Sequence, residues 1–235
     1  MSTVDFSQLL PPSLITELSY EAIFTKRKES FISLYDASEL QAVRELLQRE
    51  SEPVVKLLQE NAYLEMLYQA KCNADARSLL LAYAEKSDLD HLALTEYGLT
   101  RLVVTPADNT VIPPVEAVYE SDERLRERCI LSFDGMNTAG SANAYRYFTL
   151  SADGRVDGIK VKSDEATPCF LDIVITQVDS ENGAASEELI QIVQTALDPD
   201  TVRPVGDRPT VKSSIATNYQ IEAVLYVGKN AEDAL

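Results

Sequence analysis

The sequence predicts an α+β protein with a mainly helical N-terminal half, a long helix within that half, and a compact β-β-α-β-β unit in the C-terminal third. Two observations carry this prediction. Apolar residues recur at three- and four-residue steps through the first half, which is the spacing of one helix face. After residue 150 the period shortens to two, and β-branched runs such as IVI at 173–175 appear.

The chain of 235 residues is long enough for one large domain or two modest ones. Pro11 and Pro12 disfavour a helix near the N-terminus and favour an extended arm there. The expected segments are an extended arm at 1–20, a helical domain at 21–98, a connector with two short helices at 99–150, an α+β domain at 151–228 and a tail at 229–235.

The helical domain is expected to begin with two short helices over 21–47, with a break near Asp36. A long helix should follow over 52–84, because Ser51 can cap its free N–H groups and Pro53 suits its first turn. About 30 residues at 1.5 Å each span about 45 Å, which exceeds what one small core needs to cover. We therefore expect the excess apolar surface to contact another domain or subunit. The interface residues predicted on this helix are Val54, Leu57, Leu64 and Leu67.

Two shorter helices and a connector are expected next. Ser87 is placed to cap a helix over 88–96 that stops at Gly98. Residues 102–115, rich in proline, indicate an extended connector and not a strand pair at a sheet centre. Ser121 is placed to cap a helix reaching residue 132, whose alternating acidic and basic residues favour a solvated face.

In the C-terminal part, Thr138 is expected to cap a helix that ends at 152–154. Strands are predicted over 155–162 and 169–178, followed by a helix capped by Ser186. Further strands are predicted over 211–215 and 219–227, the last from its alternation of apolar and polar residues. Two strands, a helix and two strands form the compact unit named above.

Charge excludes a general nucleic-acid binder. The formal net charge is −17, and phosphate recognition depends on clustered cations. Residues 1–100 hold 9 basic and 16 acidic side chains and residues 101–235 hold 12 and 22, giving net charges of −7 and −10. The acidic character is therefore spread along the chain. The chain also lacks a signal pattern and a run of about 20 apolar residues, which predicts a soluble, intracellular protein without membrane insertion.

Motifs for chemistry are incomplete. Three separated cysteines and the single His91 offer neither a disulfide framework nor metal-ligand spacing. The segment from Gly135 to Gly140 has the outer glycines of a phosphate loop, but the lysine that should follow is replaced by Ser141. We expect His91 and its neighbouring aspartates to be structural, since aspartates favour helix N-termini. The sequence thus predicts no enzyme activity and no catalytic, cofactor-binding or metal-binding residues.

Several short segments spread along the chain carry a family resemblance. They are DFSQL at 5–9, SEPVVKLLQENAY at 51–63, NADAR at 73–77, AYA at 82–84, DLDHL at 88–92, IPP at 112–114, YESD at 119–122, TAGS at 138–141, AYR at 144–146, LSADGRV at 150–156, VRP at 202–204, DR at 207–208 and Val211. With these segments the sequence resembles the baseplate J-like family of contractile phage tails over nearly its whole length. These are packing and turn motifs, so they identify a lineage and no catalytic site.

The resemblance implies a structural, non-enzymatic wedge component of the virion's tail baseplate, made late and assembled in the host bacterial cytoplasm. Two copies of such a protein are expected to join one smaller I-type wedge protein, and wedges join into a ring around the hub that holds the first sheath layer and rearranges on contraction. In that picture the long helix enters an intersubunit bundle. The sequence departs from the family in one respect, because family members usually continue well past the position of Leu235.

Three alternatives remain open from the sequence. The same component would serve in a headless, tailocin-like contractile particle. An acidic adaptor or nucleic-acid mimic would use the negative charge to compete for basic sites. An acidic enzyme of unknown type is the third, although the missing motifs disfavour it.

Overall fold

The computed structural model describes residues 17–136, 140–217 and 219–224, which separate into two compact units. The first unit takes the described residues up to Arg101 together with Glu120–Ile130, and the second takes Leu102–Tyr119 and the described residues from Leu131 onward. The chain therefore leaves the first unit, returns to it and leaves again. The first unit is helical and the second contains the sheet, which confirms the α+β class.

Five helices supply the regular structure of the first unit: α1 Tyr20–Ile32, α2 Leu40–Leu46, α3 Pro53–Ser78, α4 Lys86–Tyr97 and α5 Asp122–Leu131, whose last residue belongs to the second unit. The gap between α1 and α2 confirms the break predicted near Asp36. The predicted arm falls mostly on residues 1–16, outside the described residues; residues 17–19 have no regular structure and α1 begins at Tyr20. None of the described helices is long and apolar enough to span a membrane.

The core of the first unit forms where α1 packs along α3. Val43, Leu47 and Val55 are buried together, and half-buried aromatic and aliphatic side chains surround them. A salt bridge of 2.6 Å between Arg27 of α1 and Glu65 of α3 spans the same pair of helices. One side of α3 is therefore buried within its own unit.

The start of α3 differs from the prediction. Glu52, and not Ser51, is the N-cap residue, and its side chain makes no capping hydrogen bond. The reason lies in Pro53, which has no N–H to satisfy and pushes the preceding residue into the extended conformation. The helix therefore begins without a hydroxyl cap.

The end of α3 also differs, because the helix stops at Ser78 and not at residue 84. Residues beyond it form turns. The guanidinium of Arg126 donates to the carbonyl oxygens of Leu81 and Ala84, at 2.7 Å each, and so binds two carbonyls that a continuing helix would pair with N–H groups four residues later. A side chain 42 residues distant thus helps to set this boundary.

The cap predicted at Ser87 is likewise wrong. Helix α4 begins at Lys86, whose φ is +50°, and the N–H of Lys86 donates to Oδ2 of Asp122 at 2.9 Å. The first-turn donor is therefore satisfied by a residue of α5. The predicted stop is confirmed, since Gly98 adopts the left-handed conformation with φ +66°.

The second unit contains a two-stranded ribbon and a three-stranded sheet. Its elements are β1 Val103–Thr105, β2 Val118–Tyr119, a short 3-10 helix Asp134–Met136, α6 Ala142–Ala152, β3 Val156–Asp164, β4 Thr167–Gln177, α7 Glu187–Leu197 and β5 Arg208–Ser213. Strand β4 lies in the middle of the sheet, antiparallel to β3 and parallel to β5. Helices α6 and α7 cover the apolar face, where Tyr145, Ile173, Ile175, Leu189 and Val193 are buried.

The predictions for the connector and the two helix caps of this unit have different outcomes. The stretch predicted as an extended connector over 102–115 includes β1, which pairs with β2 beyond it in a two-stranded ribbon separate from the three-stranded sheet, so no strand pair at a sheet centre forms there. Thr138 is outside the described residues, and the cap of α6 is Ser141, whose hydroxyl accepts from the N–H of Ala144. Ser186 caps α7 as predicted, accepting from the N–H of Leu189.

The fourth predicted strand, at 219–227, is not formed over 219–224, and residues 225–227 are outside the described residues. Alternating residues predict a strand only where a neighbouring strand completes the hydrogen bonds. The sheet ends at β5 on this side, and the described part of the segment pairs with no strand of its own chain. The compact unit predicted for the C-terminal third therefore consists of β3, β4, α7 and β5 over its described residues.

Candidate functional site

An exposed apolar stripe on α3 is the most prominent candidate site. Leu57, Leu64 and Tyr68 are separated by seven and four residues, which places them on one helix face. Their exposed fractions are 57%, 54% and 68%. Leu67, one turn from Leu64, is exposed at 45%. We call these four residues the α3 stripe.

The stripe lies opposite the buried face of the same helix. Val55 and Ala62 are buried against the first unit, and Leu57 follows Val55 by two residues, about 200° around an α-helix. A surface helix normally carries one apolar face and one polar face. Helix α3 carries two apolar faces, and the described part of its own unit buries only one of them.

Three of the four predicted interface residues belong to the stripe and one does not. Leu57, Leu64 and Leu67 are exposed together. Val54 is half-buried and packs against the cluster of Val43, Leu47 and Val55. Val54 thus supports the start of α3 from within the core.

The prediction missed the aromatic members of this surface. Tyr68 extends the stripe by one turn, and Tyr63, exposed at 51%, flanks it. The four-residue step from Leu64 to Tyr68 was the signal that would have found the first of them. The hydrogen bond with the Cys72 side chain raises the pKa of Tyr68, and a tyrosine is neutral at physiological pH even without such a shift. A neutral tyrosine combines apolar area with a polar group, as interface residues commonly do.

Arg124 and Arg128 of α5 form a buried ionic cluster with Glu120, which precedes the helix, and this corrects the solvated face predicted for these residues. Glu120 and Arg128 are each 3% exposed, and the guanidinium of Arg128 donates to the Glu120 carboxylate. Arg124 approaches the same carboxylate at 3.4 Å. Because buried charges must be paired, this cluster fixes α5 within the first unit.

A second ionic group joins α4 and α5. The guanidinium of Arg101 donates to Asp90 and to Asp122, at 2.6 Å each, and to the carbonyl oxygen of Glu120 at 2.7 Å. Asp90, one of the aspartates beside His91, is therefore engaged in an ion pair. Within residues 17–136, 140–217 and 219–224, no three acidic, histidine or cysteine side chains are grouped to hold a metal ion.

The glycines of the incomplete phosphate loop have packing roles. A Cβ at Gly135 would clash with the ring of Tyr147. Gly140 has φ +69°, and a Cβ there would lie 2.8 Å from Pro204 and 2.9 Å from Asp207. Asp207 also accepts a hydrogen bond of 2.8 Å from the buried Tyr145. The close ring of Tyr147 requires glycine at position 135, and the positive φ together with the close Pro204 and Asp207 requires it at position 140.

Comparison with known proteins identifies the class. Family models of the baseplate J-like N-terminal domain and the baseplate J-like central domain match residues 50–108 and 137–213. The first match includes all of α3, and the second includes the three-stranded sheet. The chain belongs to the baseplate J-like family.

A relative of known name supports the same family. The chain is 44% identical over 227 residues to baseplate protein J of Escherichia phage P2, an alignment that covers 97% of this chain and 74% of the phage P2 protein. The resemblance deduced from the sequence segments is thereby confirmed.

Proposed function

We propose that this protein is a structural component of a contractile-tail baseplate, located in the virion, and that it acts as a wedge subunit. The supporting observation is the α3 stripe, an exposed apolar surface on an acidic protein of the baseplate J-like family. Contiguous exposed apolar surface marks sites of protein association. No chemistry is required of the chain in this role.

The occupant we propose for the stripe is a helix of a smaller I-type wedge protein or of a second copy of this chain. Leu57, Leu64 and Tyr68 have the seven- and four-residue spacing with which one helix packs against another. Further contacts with neighbouring wedges, hub and sheath would complete a ring that forms in the host bacterial cytoplasm and rearranges on contraction. A tailocin-like particle would use the same contacts.

A charge placed in the stripe tests this proposal. We expect the double variant Leu64→Asp, Leu67→Asp to keep its helical circular dichroism, because neither side chain is part of the buried core. Two buried leucines contribute about 3–6 kcal/mol to an interface, so the affinity for the co-expressed I-type partner should fall at least about 100-fold. Binding is measured by calorimetry and complex mass by light scattering.

The double variant Ala22→Asp, Thr25→Asp is the matched control. It adds the same two negative charges at exposed positions of α1, which packs against the buried side of α3 and not against the stripe. Both positions are near the N-terminus of α1, where a negative charge is tolerated well, so this variant should bind like the unmodified protein. Equal binding by all three proteins would remove the stripe from the wedge contact. Failure of the unmodified chain to bind any baseplate protein, together with binding to a basic nuclease, would favour the acidic mimic.

A further inference from the structure

The sheet of the second unit has two edges, and the β5 edge is closed by side chains of its own unit. The N–H of Val211 donates to Oε1 of Gln194 at 2.9 Å, and Nε2 of Gln194 donates to the carbonyl oxygen of Pro209 at 3.1 Å. The amide of Gln194 thus occupies the positions that a neighbouring strand would use. Pro209 has no N–H to offer in addition.

The β3 edge carries free hydrogen-bonding groups. The carbonyl oxygen of Ile175 in β4 accepts from Ser214, on the β5 side, so this residue points away from β3. Ile175 is the partner of Ile159 in the antiparallel register. The backbone groups of Ile159, Val161 and Ser163 therefore point outward, because such pairs alternate along the ladder. Among the described residues no strand lies on that side.

The two faces of the β3 edge differ in character. Ile159 and Val161 are half-buried and pack against the core beneath α6 and α7. Lys160 and Lys162 are exposed on the opposite face. A strand added here would match if it placed apolar residues on the first face and polar or acidic residues on the second.

Residues 219–224 have this pattern. Tyr219, Ile221 and Ala223 alternate with Gln220 and Glu222. Tyr219 and Ile221 are 82% and 78% exposed, and the described structure pairs the segment with no strand. Six extended residues span about 20 Å, enough to cover the outward groups of β3.

We propose that residues 219–224 of one copy add as an edge strand to β3 of a second copy. Tyr219 and Ile221 then extend the apolar face beside Ile159 and Val161, and Glu222 lies on the face of Lys160 and Lys162. The segment follows β5 closely, but the amide of Gln194 closes the β5 edge. The segment also pairs with no strand of its own chain in the described structure, so the open β3 edge of another copy is the site that its pattern matches. This inference is independent of the baseplate role.

Amide hydrogen exchange of the full chain at low and high protein concentration tests the proposal. We expect the outward amides of Val161 and Ser163 to exchange at least about tenfold more slowly at high concentration, since strand addition covers them. Protection that does not change with concentration would mean pairing within one chain. Protection confined to α3 or β5 would place self-association elsewhere. Either of these results, or the absence of protection at about 1 mM, overturns the proposal.

Substitutions in β3 and in residues 219–224 test whether these two segments pair. Ser163→Pro removes an outward N–H and leaves the inward ladder intact, so concentration-dependent protection of Val161 should disappear, whereas Ser163→Ala should retain it. Ile221→Asp should also abolish it. Gln220→Glu adds the same charge on the lysine face and should preserve or strengthen the protection. Equal behaviour of Ile221→Asp and Gln220→Glu would contradict the assigned faces.

Discussion

Asp122 is a single carboxylate that joins α4 to α5. It accepts the N–H of Lys86 and pairs with Arg101. Burial alone would raise its pKa, but these two partners outweigh burial and lower it from the usual value of 3.8. Because the folded-state pKa lies below the unfolded-state value, Asp122 stabilises the fold above about pH 4, and this contribution is lost as pH falls through the lowered pKa.

We therefore predict that Asp122→Asn destabilises the first unit by about 1–3 kcal/mol at pH 7, measured by urea unfolding. The difference from the unmodified protein should shrink as pH falls below about 4, since the variant lacks this titration. Asp88→Asn, at an exposed position of α4, is the control and should cost much less. A difference that stays constant down to about pH 3 would contradict the role of the lowered pKa.

The charges around Asp122 show what the residue pattern does not determine. Alternating acidic and basic residues have the same spacing on a solvated face and in a buried cluster. The partner of Asp122 is Arg101, which lies 21 residues earlier in the chain, and the burial of Glu120 and Arg128 likewise comes from tertiary packing that the local pattern does not show. Glu120 and Arg128 were therefore missed, although helix α5 itself was predicted from Ser121 onward.

The places of the helices and strands along the chain were predicted better than the residues at which they begin and end. Apolar spacing indicated α4, α7 and strands β3–β5 to within a few residues, and it indicated α3 but not its end, because each element carries its own periodicity. The ends of α3 depend on Pro53 and on Arg126, and the second is a contact that local sequence does not contain. Three stripe residues were predicted from helix length and spacing. Val54 was placed among them because periodicity does not tell which of two apolar faces is buried.

Gln194 gives a prediction about a sheet edge. Gln194→Ala removes both partners of the β5 edge, leaving the N–H of the buried Val211 without its acceptor. We expect the Val211 amide to exchange at least about tenfold faster and the second unit to lose about 1–3 kcal/mol. Gln191→Ala, one turn earlier on α7 and exposed, should change neither quantity. Unchanged exchange at Val211 would show that the Gln194 amide does not protect this edge.

At the scale of the whole molecule, the proposed assembly would depend on two separable features, the net charge and the α3 stripe. The charge of −17 is divided as −7 and −10 along the chain, so it acts over the surface and not at one tail. Long-range attraction to a basic neighbour raises the rate of encounter, whereas apolar contacts determine how long the complex lasts. The two contributions should therefore respond differently to salt.

We predict that association with a basic baseplate partner slows markedly as ionic strength rises from about 0.01 M to 1 M, because the screening length falls from about 30 Å to about 3 Å. The dissociation rate should change little, since salt does not weaken burial of Leu57, Leu64 and Leu67. Surface plasmon resonance measures both rates. The double variant Leu64→Asp, Leu67→Asp should dissociate faster than the unmodified protein, whereas its association rate should be similar. An association rate insensitive to salt would restrict the acidic surface to solubility and leave the apolar stripe as the main determinant of assembly.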